Sequence, residues 1–326
     1  MSAWRSDVLA AVLMAGFAAA APAGAASPLR VCLDQNASLL SSKRGEEALG
    51  FDLLVTQAVA KRLGRPLDLQ WFETELDDQS NPVLEANALL SDRRCHLIAG
   101  YALFASALGA PSAERSRLPS FEGAKREDRR RWVALNAVEA SRGYRYSPLV
   151  VVVGPQAAGR RIENLADLKG LALGAEETTL GGAILMSYRG GMLRNQITNV
   201  SPGKGLLEGI ERGEYGATLV ELNRFDAYVA EHPKTKLSSS GHYHSLGHNV
   251  GFLGLASDAA LISEVNLAIG EMLEGSDLQV ARCGGGPDLP AATAAGHPSG
   301  DLAYAAPRRL KTAAVYSSPG TEPRIG

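Results

Sequence analysis

Apolar and polar residues alternate in a regular way through the first hundred positions. Short apolar runs predict buried strands, and apolar residues spaced three or four apart predict helices with one buried face. The resulting order is a strand at 29–33, a helix at 51–63, a strand at 67–72, a helix at 84–90 and a strand at 97–100. Such a strand–helix alternation predicts an α/β fold with a mainly parallel sheet flanked by helices.

The segment 163–221 predicts a second unit of the same kind. A short strand at 171–174 follows a turn at Lys169–Gly170, and a helix restarts at Thr178 and Thr179. Free N–H groups and the positive end of the helix dipole meet at such a start, which suits a carboxylate or another small anion. The alternative is that one threonine only caps its own helix. A further strand ends at Glu221. Thr178 and Glu221 should therefore both lie at the carboxyl edge of the sheet, where ligands bind.

Two extended segments are expected to cross between the two units. The run 147–154 should leave the first lobe, and 251–256 should return to it, which makes a pair of hinge strands. The alternative is two central strands of one domain. The two-lobe reading divides the chain into lobe 1 (27–148), lobe 2 (149–248) and a return to lobe 1 (249–286).

The chain ends differ in composition from the centre. Residues 1–26 have a basic start, a short apolar run and small residues at the end, which predicts a secretory signal peptide; a membrane anchor is the alternative. The tail 287–326, rich in Ala, Pro and Gly, predicts disorder. We therefore expect a periplasmic protein without a membrane span in its mature part. The net charge of −2 argues against a nucleic-acid partner.

The order of several segments resembles the family-3, or type II, periplasmic solute-binding proteins of ABC transporters. They are RVCLDQN, AKRLG, LIAGYA, IENLADLKGLALGAEETT, YGATLVE and NVGFLGLASDAALISEVNLAIGEML. The resemblance implies a non-catalytic protein without a cofactor that captures a small polar ligand, amino-acid-like or an organic acid, between two lobes. Its transport partner would be an ABC permease.

The resemblance also implies where the ligand lies. The family places a Thr and an Arg after the LIAG-type strand, but here Tyr101 and Ala102 follow it, so Arg142 is a loose counterpart of that Arg and Arg145 a competitor. Glu221 stands where the family has an ammonium-binding Asp. The expected ligand-binding set is Asp34, Tyr101, Arg142, Tyr144, Thr178, Thr179 and Glu221. The alternatives are solvated hinge arginines and a structural Glu221.

A narrower resemblance concerns VCLDQN, the second Cys before LIAG, and GYRYS. These segments are similar to solute-binding-like proteins associated with periplasmic quinoprotein (PQQ) alcohol or methanol dehydrogenases, which implies such a dehydrogenase as the alternative partner. The mixed-charge insertion 106–139 predicts a solvated surface helix or a docking surface for another protein.

Cysteines and histidines offer further chemistry. Cys32 and Cys95 would form a disulfide if their strands are neighbours, with two free thiols as the alternative, and Cys283 is left over. His242, His244 and His248 have a spacing that could hold zinc or copper, although a polar loop is the simpler interpretation, so no metal site is expected. No catalytic motif or acid/base pair stands out, so an enzyme is not expected.

Overall fold

The computed structural model of the chain describes residues 26–37, 39–74, 81–128, 130–177, 179–201, 203 and 205–275. The predicted signal peptide apart from Ala26, the predicted disordered tail, Cys283 and Thr178 lie outside the described residues. None of the described helices combines the length and the apolar character that a membrane span requires.

The first half of the chain alternates strands and helices as the sequence predicts. Its elements are β1 (Leu29–Asp34), β2 (Ser42–Arg44), β3 (Glu47–Leu49), α1 (Phe51–Arg62), β4 (Leu67–Glu73), α2 (Pro82–Ser91), β5 (Leu97–Ala102), β6 (Arg115–Arg117), β7 (Ser120–Phe121), β8 (Trp132–Ala134) and β9 (Val138–Ala140). The five predicted elements are confirmed, with ends shifted by one or two residues.

The second half repeats the alternation and then returns. Its elements are β10 (Arg145–Val153), β11 (Leu173–Glu176), α3 (Leu180–Gly191), β12 (Ile197–Val200), α4 (Leu206–Arg212), β13 (Ala217–Glu221), α5 (Leu222–Glu231), β14 (Ser238–Leu255) and α6 (Ala259–Glu274). The predicted α/β class is confirmed.

The strands pair in the order β12–β11–β13–β10–β14–β5–β1–β4–β7, with β9 beside β14. Parallel pairing joins β1 to β4 and β5, and joins β11 to β12 and β13. Antiparallel pairing joins β10 to β13 and β14, and β14 to β5. Two parallel units are thus linked through the long antiparallel pair β10–β14.

Each unit has apolar packing on both faces of its strands. In β1, Val31 and Leu33 face helices α1 and α6, while Cys32 faces α2. In β10, alternate valines divide between a cluster with α3 and a cluster with α4 and α5. Strands covered on both sides read as continuous apolar runs, which explains the sequence of four valines in β10.

Strand β10 passes from one set of clusters to the other. Tyr144, just before it, is buried in the cluster with α1, whereas Leu149 is buried in the cluster with α3. On β14, Val250 belongs to the α1 cluster and Tyr243 packs against the α4 and α5 cluster. The crossing on β10 overlaps the expected hinge segment 147–154, whereas the crossing on β14 lies before the expected segment 251–256. The domain boundaries 148/149 and 248/249 stay predictions.

The prediction of a surface helix in the insertion is wrong. Its described part forms turns and the short strands β6 to β9. Leu118, Phe121 and Val133 are buried against α2. Arg94, three residues after that helix, binds Asp128 at 2.8 Å and stacks over Phe121. These inward anchors hold the chain in extended turns, and a continuous helix would pull them off α2.

The predicted Cys32–Cys95 disulfide is confirmed. The two Cα atoms lie 5.7 Å apart, within the range that a disulfide spans. Both residues are buried, and the bond ties β1 to a position two residues before β5. Because β1 and β5 are already paired in the sheet, the disulfide reinforces the contact between these two strands.

Candidate functional site

A crevice of about 430 Å³ lies where the end of β11 and the start of α3 meet the loop after β5. Its walls include Phe104 from the first unit and Glu176, Glu177, Thr179 and Met186 from the second. Leu180 and Ala183 add apolar surface, and Asn199 of β12 adds an amide. The crevice therefore combines aliphatic and aromatic walls with two carboxylates.

Thr179 forms the N-cap of α3, as the sequence allows. Its hydroxyl accepts a hydrogen bond from the Gly182 N–H at 3.0 Å and donates one to the Glu176 carbonyl at 2.9 Å. The hydroxyl thus serves its own helix, in line with the capping interpretation. Thr179 also lines the crevice, so contact with a ligand stays a prediction.

The two glutamates at the end of β11 differ in their surroundings. Glu176 is 8% exposed, and its carboxylate accepts a hydrogen bond from Arg224 of α5 at 2.5 Å. Glu177 is exposed, and its backbone N–H is bonded to the Val200 carbonyl. Arg224 neutralises one of the two charges, so the second gives the crevice a net negative character.

Phe104 closes the crevice from the first unit. Its ring lies 5.1 Å from the ring of His248 on β14, with the planes tilted by 48°. The Nδ1 atom of His248 is buried without a hydrogen-bond partner among the described residues. Burial, together with the nearby Arg145, lowers the pKa of His248 to about 4. A neutral imidazole therefore supports Phe104 from behind at neutral pH.

Tyr144, one of the expected ligand-binding residues, belongs to the core of the first unit. Its side chain is completely buried, and its hydroxyl donates to Asp52 at 2.8 Å and accepts from the Gly100 N–H at 2.8 Å. Burial, and next the Asp52 charge, raise the pKa of Tyr144 well above its usual value. Arg145 is also buried and bonds the same carboxylate. Both side chains hold the first unit together.

Asp34 and Tyr101 lie at strand ends of the first unit, outside the described lining of the crevice. The Asp34 carboxylate accepts hydrogen bonds from the Asn36 N–H and the Thr74 hydroxyl, both at 2.9 Å. Burial raises the pKa of Asp34 in spite of these bonds. The Tyr101 hydroxyl is buried without a partner in the described part of the chain, and burial raises its pKa.

Arg142 and Glu221 are likewise outside the described lining. The Arg142 backbone N–H donates to Asn266 of α6 at 2.6 Å, and its guanidinium lies close to Gly270 on the same helix. Glu221 ends β13, one strand away from the crevice end of β11, and precedes α5 without capping it. The ligand roles of both residues stay predictions, and the geometry gives Arg142 no contact with the crevice.

A second cavity of about 260 Å³ lies beside the β2–β3 hairpin. Its polar groups are already paired with one another: Lys43 with Glu122 at 2.5 Å, and Gln35 with Glu73 at 3.3 Å. We therefore regard the interlobe crevice as the better candidate. In the described part of the chain, no three His, Cys, Asp or Glu side chains are close enough to hold a metal ion.

Solved structures of low sequence identity share this architecture. An ancestral arginine-binding protein bound to glutamine matches with a TM-score of 0.53 and 17% identity over 78% of this chain and 96% of its own. A periplasmic binding protein of Salmonella typhimurium with high arginine specificity matches with a TM-score of 0.52 and 17% identity, over 80% of this chain and 99% of its own. A histidine kinase sensor domain similar to periplasmic binding proteins matches with a TM-score of 0.55 and 11% identity, over 79% of this chain and 95% of its own. No protein-family model and no curated protein matches the sequence.

This chain has the two-lobe fold of periplasmic binding proteins. The predicted fold is therefore confirmed, and the two units described above are its lobes. Identities of 11 to 17% establish only the fold, so a ligand has to be argued from the site itself.

Of the residues that line the crevice, only Thr179 was in the expected ligand-binding set; Phe104, Glu176 and Glu177 are the most informative of those that were missed. All three follow or end predicted strands, and the carboxyl ends of parallel strands are where ligands bind in such sheets. That signal was available in LIAGYALF and LGAEETT. The family resemblance implied a Thr and an Arg instead.

Proposed function

We propose that this chain is an exported solute-binding protein that captures a small solute with an ammonium group and an apolar body. The observation that carries the proposal is the crevice between Phe104 and the start of α3, with its two glutamates and apolar walls. Phe104 lines the same crevice as Glu177, and the face of an aromatic ring attracts positive charge. The mature protein would act in the periplasm.

The distribution of cations supports this charge preference. Arg145 is bonded to Asp52, Arg142 lies against α6, and Arg224 is bonded to Glu176. A carboxylate ligand needs a guanidinium or ammonium group that is free to bind it. These three arginines do not supply one, so an organic acid is the poorer ligand and an amine the better one.

Closure of the lobes over the solute is the proposed mechanism. The lobes are joined by β10 and β14, and a rotation at these strands would change the distance between Phe104 and α3 while leaving both cores intact. A bound cation contacts both lobes and so stabilises the closed form. A membrane permease of the ABC type is the proposed partner, and the closed form is what it would recognise.

Titration calorimetry on the wild-type chain tests the proposal with arginine, lysine, a linear diamine, a benzylic amine and a dicarboxylate. The amines should bind and the dicarboxylate should not. Phe104→Ala and Glu177→Gln should each weaken binding by about tenfold, which corresponds to the loss of one desolvated contact. Glu163→Gln, in an exposed ion pair of the same lobe, is the matched control and should change nothing. Absence of binding by every solute to the folded protein, or affinities that neither variant alters, would refute the proposal.

A further inference from the structure

Strands β6 and β8 form a two-stranded ribbon with two different faces. Ser116 and Val133 are paired in register and buried, and Val133 packs in the apolar cluster with α2. The next pair, Arg117 and Trp132, lies on the opposite face, because neighbouring side chains of a strand alternate. Trp132 is 51% exposed. The outer face therefore presents a large aromatic ring to solvent.

Arg117 packs over this ring, and Arg115 bonds the backbone of the same residue. The Arg117 guanidinium lies 5.3 Å from the centre of the Trp132 ring, and Arg115 donates a hydrogen bond to the Trp132 carbonyl at 3.3 Å. We call these three residues the Trp132 face. Tryptophan and arginine dominate the energetic centres of protein interfaces. A ring already held in one position loses little freedom when a partner covers it.

The two arginines of the Trp132 face carry positive charge. Arg115 and Arg117 form no ion pair with any carboxylate in the ranges that the structure describes. Two acidic residues of the insertion are bound to other cations: Asp128 binds Arg94, and Glu122 binds Lys43. The segment 106–139 contains seven basic and five acidic residues, a net charge of +2, although the whole chain carries −2. The net charge of this segment is thus opposite in sign to that of the whole chain.

We propose that the Trp132 face docks an acidic segment of a partner protein, with carboxylates on Arg115 and Arg117 and an apolar side chain on the indole. The charge complementarity favours an acidic protein. A nucleic acid is a poorer fit, because the patch is small and the rest of the chain is negatively charged. The inference does not depend on the solute in the crevice, since the two surfaces share no residue.

Fluorescence anisotropy of labelled peptides tests the proposal with the full chain. The probe is a ten-residue peptide of glutamates around one central phenylalanine. Two comparison peptides replace every Glu by Gln or the Phe by Gly. A single-stranded oligothymidine is the third comparison probe. The acidic peptide should bind with a dissociation constant below about 1 mM, the range that a few desolvated contacts can reach. Binding should weaken at 0.5 M salt, because exposed charges are then screened.

Two variants locate the binding. Trp132→Ala and Arg117→Glu should each weaken the acidic peptide at least about tenfold, as expected for central interface residues. Lys234→Glu, an exposed lysine of the second lobe, carries the same charge change and should have little effect. Circular dichroism checks that each variant is folded, and Trp132→Phe should retain part of the affinity. The proposal would be overturned if the acidic peptide did not bind or if all variants had equal effects. Tighter binding of the oligothymidine through the same residues would also overturn it.

Discussion

Arg145 and Asp52 form a buried ion pair in which two nitrogens meet two oxygens. Nε lies 3.1 Å from Oδ1 and Nη2 lies 3.2 Å from Oδ2, and both side chains are less than 5% exposed. The pair joins the start of β10 to the first turn of α1. The Arg145 guanidinium is therefore a structural group. Because it is paired with Asp52, it is not a candidate for ligand contact.

Removing one partner of this pair should be strongly destabilising. Asp52→Ala leaves a buried guanidinium without its counter-ion, and we expect the free energy of unfolding to fall by about 3–5 kcal/mol. The double variant Asp52→Leu/Arg145→Met should lose less than the sum of the single changes, because no charge is left unpaired. Urea unfolding at neutral pH measures each term.

The exposed pair between Arg30 and Asp68 serves as the control for this measurement. Its atoms lie 2.6 Å apart, yet both side chains are more than 40% exposed. Asp68→Ala should lower stability by less than about 1 kcal/mol, as is usual for solvated pairs. If Asp52→Ala were no more destabilising than Asp68→Ala, the Asp52–Arg145 pair would have no special structural role.

The Cys32–Cys95 disulfide should stabilise the first lobe mainly by restricting the unfolded chain. The two residues are 63 positions apart, and closing a loop of that length predicts about 4 kcal/mol. The variant Cys32→Ala/Cys95→Ala should unfold at lower urea by a corresponding amount. Reductant should shift the wild type towards the variant and leave the variant itself unchanged. The prediction would be contradicted if reductant did not change the unfolding of the wild type and the variant were equally stable.

Gly181 allows α3 to approach β13 at the crevice. A Cβ atom at this position would lie 2.0 Å from the Leu219 carbonyl oxygen, which is a severe clash with backbone. Helix propensity favours alanine over glycine by about 1 kcal/mol, so the two effects oppose each other. We expect the clash to win: Gly181→Ala should destabilise the protein by about 2 kcal/mol or more, as overpacking does.

Gly216 provides the matched comparison. A Cβ atom there would meet its nearest neighbour, the Ala172 carbonyl oxygen, at 3.5 Å, an ordinary contact. Gly216→Ala should therefore change the unfolding midpoint only slightly. Gly181→Ala should in addition weaken solute binding, because it displaces the start of α3. Equal midpoints for the two variants would show that α3 can move away from β13 at little cost.

Much of the fold was predictable because burial leaves a periodic trace. The apolar runs of β1, β5 and β10 mark strands covered on both faces, and the spacing from Phe51 marks α1. The insertion was predicted wrongly for a physical reason. Its charges suggested a solvated helix, while the three residues that fix its path are scattered among them and act through contacts with α2.

The site was less predictable than the fold. Tyr144 and Arg145 look like polar residues beside a hinge, and only the tertiary structure shows that both converge on Asp52, 92 and 93 positions earlier. Phe104 and Thr179 come from separate lobes, and nothing in either local sequence indicates that they share a crevice. A resemblance to a family can supply expected positions, but it cannot report which partner each side chain has found.

His248 should make the stability of the protein depend on pH. Burial and the Arg145 charge lower its pKa from the ordinary 6.5 to about 4. Between these two values the unfolded chain binds a proton that the folded chain does not. Stability contributed by the neutral imidazole is therefore present above pH 6.5 and is lost as the pH falls from 6.5 towards 4, by up to about 3 kcal/mol. Below pH 4 this contribution should change no further.

His248→Phe separates this effect from the titration of acidic residues. Phenylalanine keeps a ring against Phe104 but cannot be protonated, and it removes the Nδ1 atom that lacks a partner in the described structure. Urea unfolding of wild type and variant should be measured from pH 8 to pH 4. The difference in unfolding free energy should move in favour of the variant as the pH falls through 6, and should be constant above pH 7.5. Parallel profiles over the whole range would mean that His248 is protonated equally easily in the folded and unfolded chains, and the account of a neutral imidazole behind Phe104 would have to be abandoned.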